Sequence, residues 1–146
     1  MRALVQRVSE ASVEVGGEPV GEIGQGLLIL LGVSKGDGED EAHYIVGKTA
    51  NLRIFNDEAG KFNRSALYIG AELLIVSQFT LYAETRKGRR PSFGDAAAPE
   101  VAVSLYERFV DLLRERAPGR VETGEFGAMM HLELVNTGPV TMILER

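Results

Sequence analysis

Two short runs limit the folds open to this chain more than any other feature: Leu27-Leu28-Ile29-Leu30-Leu31 and Leu73-Leu74-Ile75-Val76. Each is apolar on both faces of an extended segment, so each reads as a central strand with protein on either side. The neighbouring segments fit a sheet around them. Met1 to Val8 and Ala11 to Val15 alternate, Gly16-Gly17 signals a hairpin, and Val20 to Ile23 follows, which makes residues 1 to 33 a β-meander. After the polar loop Ser34 to Gly38, Asp37 or Asp40 is expected to cap a helix with Ala42, Ile45, Val46, Thr49 and Leu52 on one face. Leu52 to Phe55 reads as a short strand, Asn56 to Lys61 as a turn, and Asn63 to Tyr68 as a loop or one helical turn. Pro99 suits the first turn of a second helix, with an apolar stripe at Ala102, Leu105, Tyr106, Phe109, Leu112 and Leu113 that Ala117-Pro118-Gly119 ends. Arg120 to Glu122, Met129 to Val135 and Val140 to Glu145 are the remaining strands. The expected architecture is α/β, of an α+β-like kind. Mostly antiparallel sheets form an open barrel or sandwich with two main flanking helices, in a single domain over residues 1–146.

Composition excludes several kinds of chemistry. A chain of 146 residues buries a sizeable core without staples. It has no cysteine, hence no disulfide framework, thiol nucleophile or thiolate zinc site. His43 on the first helix and His131 within a strand lack ligand spacing, so no metal is expected. Ser77 has no flanking glycines to make a hydrolase elbow, and Gly32 to Gly38 lacks the Gly-Lys-Ser/Thr ending of a phosphate loop. No cofactor is expected. Charges interrupt the first apolar run, and no window approaches the roughly 20 apolar residues of a membrane span. The expectation is a soluble, cytoplasmic protein without a membrane partner. A formal net charge of −5 disfavours nucleic-acid binding by bulk charge, so any such contact must be local.

Three stretches carry candidate chemistry. Ser77-Gln78-Phe79-Thr80-Leu81 places hydroxyls at the end of a buried strand, where they either finish the strand's hydrogen bonding or line a site. Asn136-Thr137-Gly138-Pro139-Val140-Thr141 interrupts the last strands. Proline cannot donate to a ladder, so Gly138-Pro139 is expected to end one strand and begin another. It reads as a hairpin turn, or as rigid backbone with outward carbonyls braced by Asn136 and Thr141. Arg86, Lys87, Arg89 and Arg90 crowd around Gly88, either as a solvated loop or as a focused patch able to hold a few phosphates. Met129-Met130 reads as core ahead of a soft pocket wall.

Taken together, Ser77 to Leu81 and Asn136 to Thr141 resemble the two signature motifs of the D-aminoacyl-tRNA deacylases. Arg2 to Val15, Asn51 to Phe55, Arg86 to Phe93 and Phe126 to Met130 resemble the same family, in order and over essentially the whole chain. The resemblance implies a homodimeric proofreading enzyme of translation that hydrolyses the ester between a D-amino acid and the tRNA 3′ adenosine. It implies a cis Gly138-Pro139 peptide that reaches from one protomer toward Ser77, Gln78, Phe79 and Thr80 of the other and excludes L-aminoacyl-tRNA. Glycine has no side chain to clash, so glycyl-tRNA is expected to be cleaved as well. Thr80 is a tempting nucleophile, but the motif supplies it no base. The resemblance points instead to N–H groups around Phe79 and Thr80 stabilising the oxyanion while the substrate 2′-hydroxyl assists water. By the same resemblance Asn136 and Thr141 belong to the substrate site, Arg7 braces the corner across the dimer, and Met129 lines the pocket. Arg86, Lys87, Arg89 and Arg90 would meet acceptor-stem phosphates. The competing class is a non-catalytic RNA-binding dimer that uses the same basic loop.

Overall fold

In the computed structural model, which describes residues 1–146, both all-apolar runs lie at the centre of one sheet. Leu27–Leu31 falls in β3 (Gly26–Gly32) of that sheet. Its parallel neighbour is β6 (Glu72–Ser77), which contains Leu73–Val76. Leu27, Leu28, Ile29, Leu74 and Ile75 are all 0% exposed, so both faces are covered, as the pattern requires. β1 (Arg2–Val15) turns through Gly16 and Gly17 into β2 (Glu18–Ile23). Both glycines have positive φ, the backbone that a tight two-residue hairpin needs. The strand order is β2-β1-β3-β6-β7, with β7 at Val121–Thr123, and β8 (Met130–Glu145) lies along the other side of β1.

Strand periodicity then builds two apolar clusters. Ala3, Val5, Leu27, Ile29, Leu73 and Ile75 face outward onto the helices α1 (Glu39–Asn51) and α3 (Pro99–Arg116). Val8, Ala11, Val13, Ile23, Leu28, Leu74 and Val76 face the opposite way and form the smaller cluster. The sheet curls over that interior toward a closed barrel. A Cβ on Gly21 of β2 would stand 2.7 Å from the Thr123 carbonyl of β7 and 3.1 Å from the Leu74 side chain. β2 and β7 are not sheet neighbours, so only a strongly curled sheet, with glycine at the contact, brings them together.

The second helix follows its expected stripe. Pro99 takes the first helical position, Tyr106, Phe109, Leu112 and Leu113 are buried, and Ala102 and Leu105 pack at the margin. α1 buries Ala42, Ile45, Val46 and Thr49, but Leu52 lies past its end and neither Asp37 nor Asp40 caps it. The cap is Gly38, whose N–H donates to the Glu41 carboxylate at 2.9 Å. Asp37 accepts instead from the Met1 ammonium at 2.7 Å and from the Ser34 N–H at 2.7 Å. An ammonium held in a protein interior is a stronger partner for a carboxylate than a helix N–H. The short strand expected at Leu52 to Phe55 forms later, as β4 (Phe55–Asn56) paired with β5 (Phe62–Arg64) across the expected turn. The single helical turn is α2 (Ala66–Ile69), where the Ser65 hydroxyl accepts from the Tyr68 N–H at 3.2 Å. No helix is long and apolar enough to cross a membrane.

One expectation fails in an instructive way. Gly138-Pro139 does not separate two strands, because β8 runs continuously from Met130 to Glu145. Between the pairs Gln6–Thr141 and Val8–Asn136, β1 has only Arg7, whereas β8 has Thr137, Gly138, Pro139 and Val140. The excess is thrown out as a bulge, and pairing resumes on either side of it. Pro139 is tolerated because it sits where no ladder bond is required.

Candidate active site

The site begins where β6 leaves the sheet. The Gln78 N–H still donates to the Leu31 carbonyl at 2.7 Å, and then the chain winds into a 3-10 turn over Phe79–Tyr82. The turn can sit close to β3 because Gly32 lies beneath it. A Cβ there would be 3.1 Å from the Gln78 carbonyl, 3.1 Å from the Tyr82 ring and 3.2 Å from the Leu81 Cβ. Within the turn, the Leu81 N–H bonds the Gln78 carbonyl at 3.2 Å and the Ala83 N–H bonds the Thr80 carbonyl at 3.0 Å. The N–H groups of Phe79 and Thr80 come before the first of these bonds, so the turn itself offers them no acceptor. The Gln78 side-chain amide donates to the Thr80 hydroxyl.

Beside this turn lies a cavity of about 610 Å³, in the usual range for a small-molecule site. Ser77, Gln78 and Phe79 form one wall, and Phe126 to Met130 form the other. Val76 and Leu132, which belong to the inner cluster or pack on it, also line it. Phe93 lies edge-on to Phe79, with ring centroids 4.9 Å apart at 66°. The cavity has 16 lining residues, 12 of them hydrophobic, and none is Asp, Glu, His, Lys or Arg. No side chain in it can act as a conventional base. Met129 is 83% exposed, so it is pocket rim and not core.

The Gly138-Pro139 corner is elsewhere on the protomer and lines no part of that cavity. Both residues are exposed, and their peptide bond is cis, as the resemblance implies. The corner is braced from several directions. Asn136 Nδ2 donates to the Thr141 hydroxyl at 2.8 Å, and the Val140 N–H donates to Asn136 Oδ1 at 2.9 Å. Arg7, the one β1 residue opposite the bulge, donates from Nε to the Thr137 carbonyl at 3.1 Å and from Nη1 to the Ile54 carbonyl at 2.6 Å. Arg7 therefore braces the corner of its own chain. A Cβ on Gly138 would lie 2.8 Å from the Arg7 guanidinium and 2.8 Å from the Val140 side chain, and φ there is +121°. Glycine is required on both counts.

The basic segment is a small hairpin. Glu84 and Ser92 exchange backbone bonds at 2.8 and 3.0 Å, and Gly88 turns the tip with φ of +70°. Arg86 does not point free, since its guanidinium forks onto the Glu84 carboxylate and holds that carboxyl down at about 2. Lys87, Arg89 and Arg90 are exposed and meet no carboxylate. The hairpin returns directly into Phe93, so the cationic loop is rooted in the cavity wall. Sequence reasoning missed Gly32 and the pairing role of Phe93. A glycine closing an all-apolar strand was the available hint for the first.

The family model described as D-Tyr-tRNA(Tyr) deacylase matches residues 4–145. A protein of Roseiflexus sp. strain RS-1 named D-aminoacyl-tRNA deacylase is 65% identical over 145 residues, 99% of this chain and 93% of that one. One of the same name from Thermosipho melanesiensis is 56% identical, with 99% and 97% covered. Among solved structures, one described as c-Myc DNA unwinding element binding protein superposes with a TM-score of 0.95 at 44% identity, covering 100% of this chain and 99% of that one. Another, described as a probable eukaryotic D-amino acid tRNA deacylase, superposes with a TM-score of 0.84 at 21% identity over 99% and 98%, a likeness of fold.

Proposed function

Since the chain belongs to the D-Tyr-tRNA(Tyr) deacylase family, we propose that it tells the two hands of an aminoacyl ester apart with backbone supplied by two subunits. The activity is that of a D-aminoacyl-tRNA deacylase, a hydrolase. The observation that carries the finer reading is a cavity with no ionisable side chain, on a chain whose edge strand presents an exposed Gly138-Pro139 corner braced by Arg7 and Asn136.

In a homodimer, the corner of one protomer enters the cavity of the other. Its carbonyls accept from the substrate ammonium, and its bulk fills the space an L side chain would occupy. A D side chain points away and is admitted. Selection works by steric exclusion, so glycyl-tRNA is also admitted. Water attacks the ester carbonyl, the carbonyl π electrons move to oxygen, and the N–H groups of Phe79 and Thr80 receive that oxyanion. Collapse restores the carbonyl and breaks its bond to the ribose oxygen, which leaves with the proton given up by the attacking water, so that free amino acid and tRNA result. The 2′-hydroxyl of the terminal ribose, not a side chain, orients the water. Asn136 and Thr141 hold the corner's shape, Met129 closes the rim, and the hairpin cations Lys87, Arg89 and Arg90, with Arg86 behind them, lie along the acceptor stem.

A chirality-paired assay tests the reading. Release of tyrosine from D-tyrosyl-tRNA and glycine from glycyl-tRNA, with L-tyrosyl-tRNA spared, is the expected outcome. Equal cleavage of both tyrosyl esters, or a purified protein that spares glycyl-tRNA while turning over the D-ester, would sink it.

A further inference from the structure

Arg2 is the second residue of the chain, yet its guanidinium ends at the turn that begins 77 positions later. In β1 it lies directly opposite Gly32 of β3 and Glu145 of β8. Its Nε pairs with the Glu145 carboxylate, its Nη1 donates to the Leu81 carbonyl, and its Cζ stands 4.8 Å above the Tyr82 ring. Carboxylate, carbonyl and ring together fix the guanidinium plane, a task for which Arg's rigid fork is suited and a lysine ammonium is not.

The Leu81 carbonyl is not an arbitrary acceptor. It shares a peptide group with the Tyr82 N–H, which in the 3-10 turn donates to the Phe79 carbonyl three residues back. The Phe79 carbonyl in turn shares a peptide group with the Thr80 N–H. The cation therefore stands at one end of a chain of two hydrogen-bonded peptides, and the Thr80 N–H stands at the other. Each link of such a chain polarises the next, by about 10–30% per bond. A positive charge at the carbonyl end makes the final N–H a stronger donor, in the same sense that a cation favours a helix C-terminus.

We infer that Arg2 is a positioning residue for the hydrolysis, holding the 3-10 turn against β3 and polarising the Thr80 N–H through two peptide groups. The inference rests on the reading of that N–H as an oxyanion donor. Removing such a donor outright costs about a hundredfold or more in kcat, so weakening and loosening one is expected to cost about tenfold.

The test compares Arg2→Met and Arg2→Lys with wild type, by kcat and KM on D-tyrosyl-tRNA and by the Thr80 amide proton shift in NMR spectra of the free protein. Arg2→Met should lower kcat about tenfold with KM within about twofold, and move the Thr80 resonance upfield. Arg2→Lys, which keeps the charge but not the fork, should recover part of both and fall between Arg2→Met and wild type. If Arg2→Met does not fold, Arg2→Gln, which keeps a donor but no charge, takes its place. A Thr80 resonance that stays put in the neutral variant of an active enzyme overturns the inference. So does a shifted resonance with unchanged kcat, and that result also removes Thr80 N–H from the oxyanion site. Wild-type protein that releases no D-tyrosine sinks the proposed function instead.

Discussion

Thr80 shows how much a side chain's meaning depends on what surrounds it. Its hydroxyl accepts from Gln78 and lies beside a cavity with no ionisable group, so nothing is present to take its proton. Thr80→Ala should therefore keep substantial activity in single-turnover assays, and complete loss in a folded protein that still binds tRNA would restore the nucleophile. Tyr106 is the opposite case, a polar group with a purely structural task. Its hydroxyl donates to the Ile75 carbonyl at 2.8 Å, and burial pushes the phenol up to about 12. A raised phenol contributes stability that is complete below its unfolded value of about 10 and is lost as pH rises toward the folded value. Tyr106→Phe should cost about 1 kcal/mol in urea melts at neutral pH, and its stability should fall less steeply between pH 10 and 12 than that of wild type. The Thr80 hydroxyl and the Asn136–Thr141 brace were legible because their partners lie within a few residues. Gly32 and Arg2 were not, since each acts on a turn far along the chain and no local pattern announces it.

Elements were read more reliably than their joints. β3, β6 and α3 follow from apolar spacing alone, because burial on both faces or along one stripe leaves a periodic trace. The β8 bulge left none. Proline does forbid a ladder bond, but whether a chain turns away or bulges and resumes depends on the strand opposite, and here β1 continues past it. The cations of the basic hairpin differ likewise only through the fold, which sets Arg86 against Glu84 and leaves Lys87, Arg89 and Arg90 exposed. Changing Lys87, Arg89 and Arg90 to Gln should reduce the slope of log affinity for tRNA against log salt by about 2–3 and leave the D-to-L preference unchanged. Arg86→Gln should move that slope less, because Arg86 is already paired with Glu84. Equal effects from all four positions, measured by filter binding over a salt series, would contradict this division.

At the scale of the whole molecule, each protomer holds the cavity and the corner apart, which makes the proposed active site a property of two chains. A cavity-blocking Ala97→Trp protein and a corner-disrupting Gly138→Val protein should each be inactive alone. Random reassociation makes half of the dimers mixed, each with one intact site of two, so unfolding and refolding them together should recover about a quarter of wild-type activity. No recovery, with mixed dimers confirmed by mass, would place cavity and corner in the same chain's site. The corner has a further consequence that has nothing to do with catalysis. β8 hydrogen-bonds to β1 on one side only, and its free side runs the length of a 16-residue strand with Val135 and Ile143 exposed. A long open border of that kind invites stray strands to add to it. By breaking the border midway, the Gly138-Pro139 bulge denies an incoming strand a continuous register.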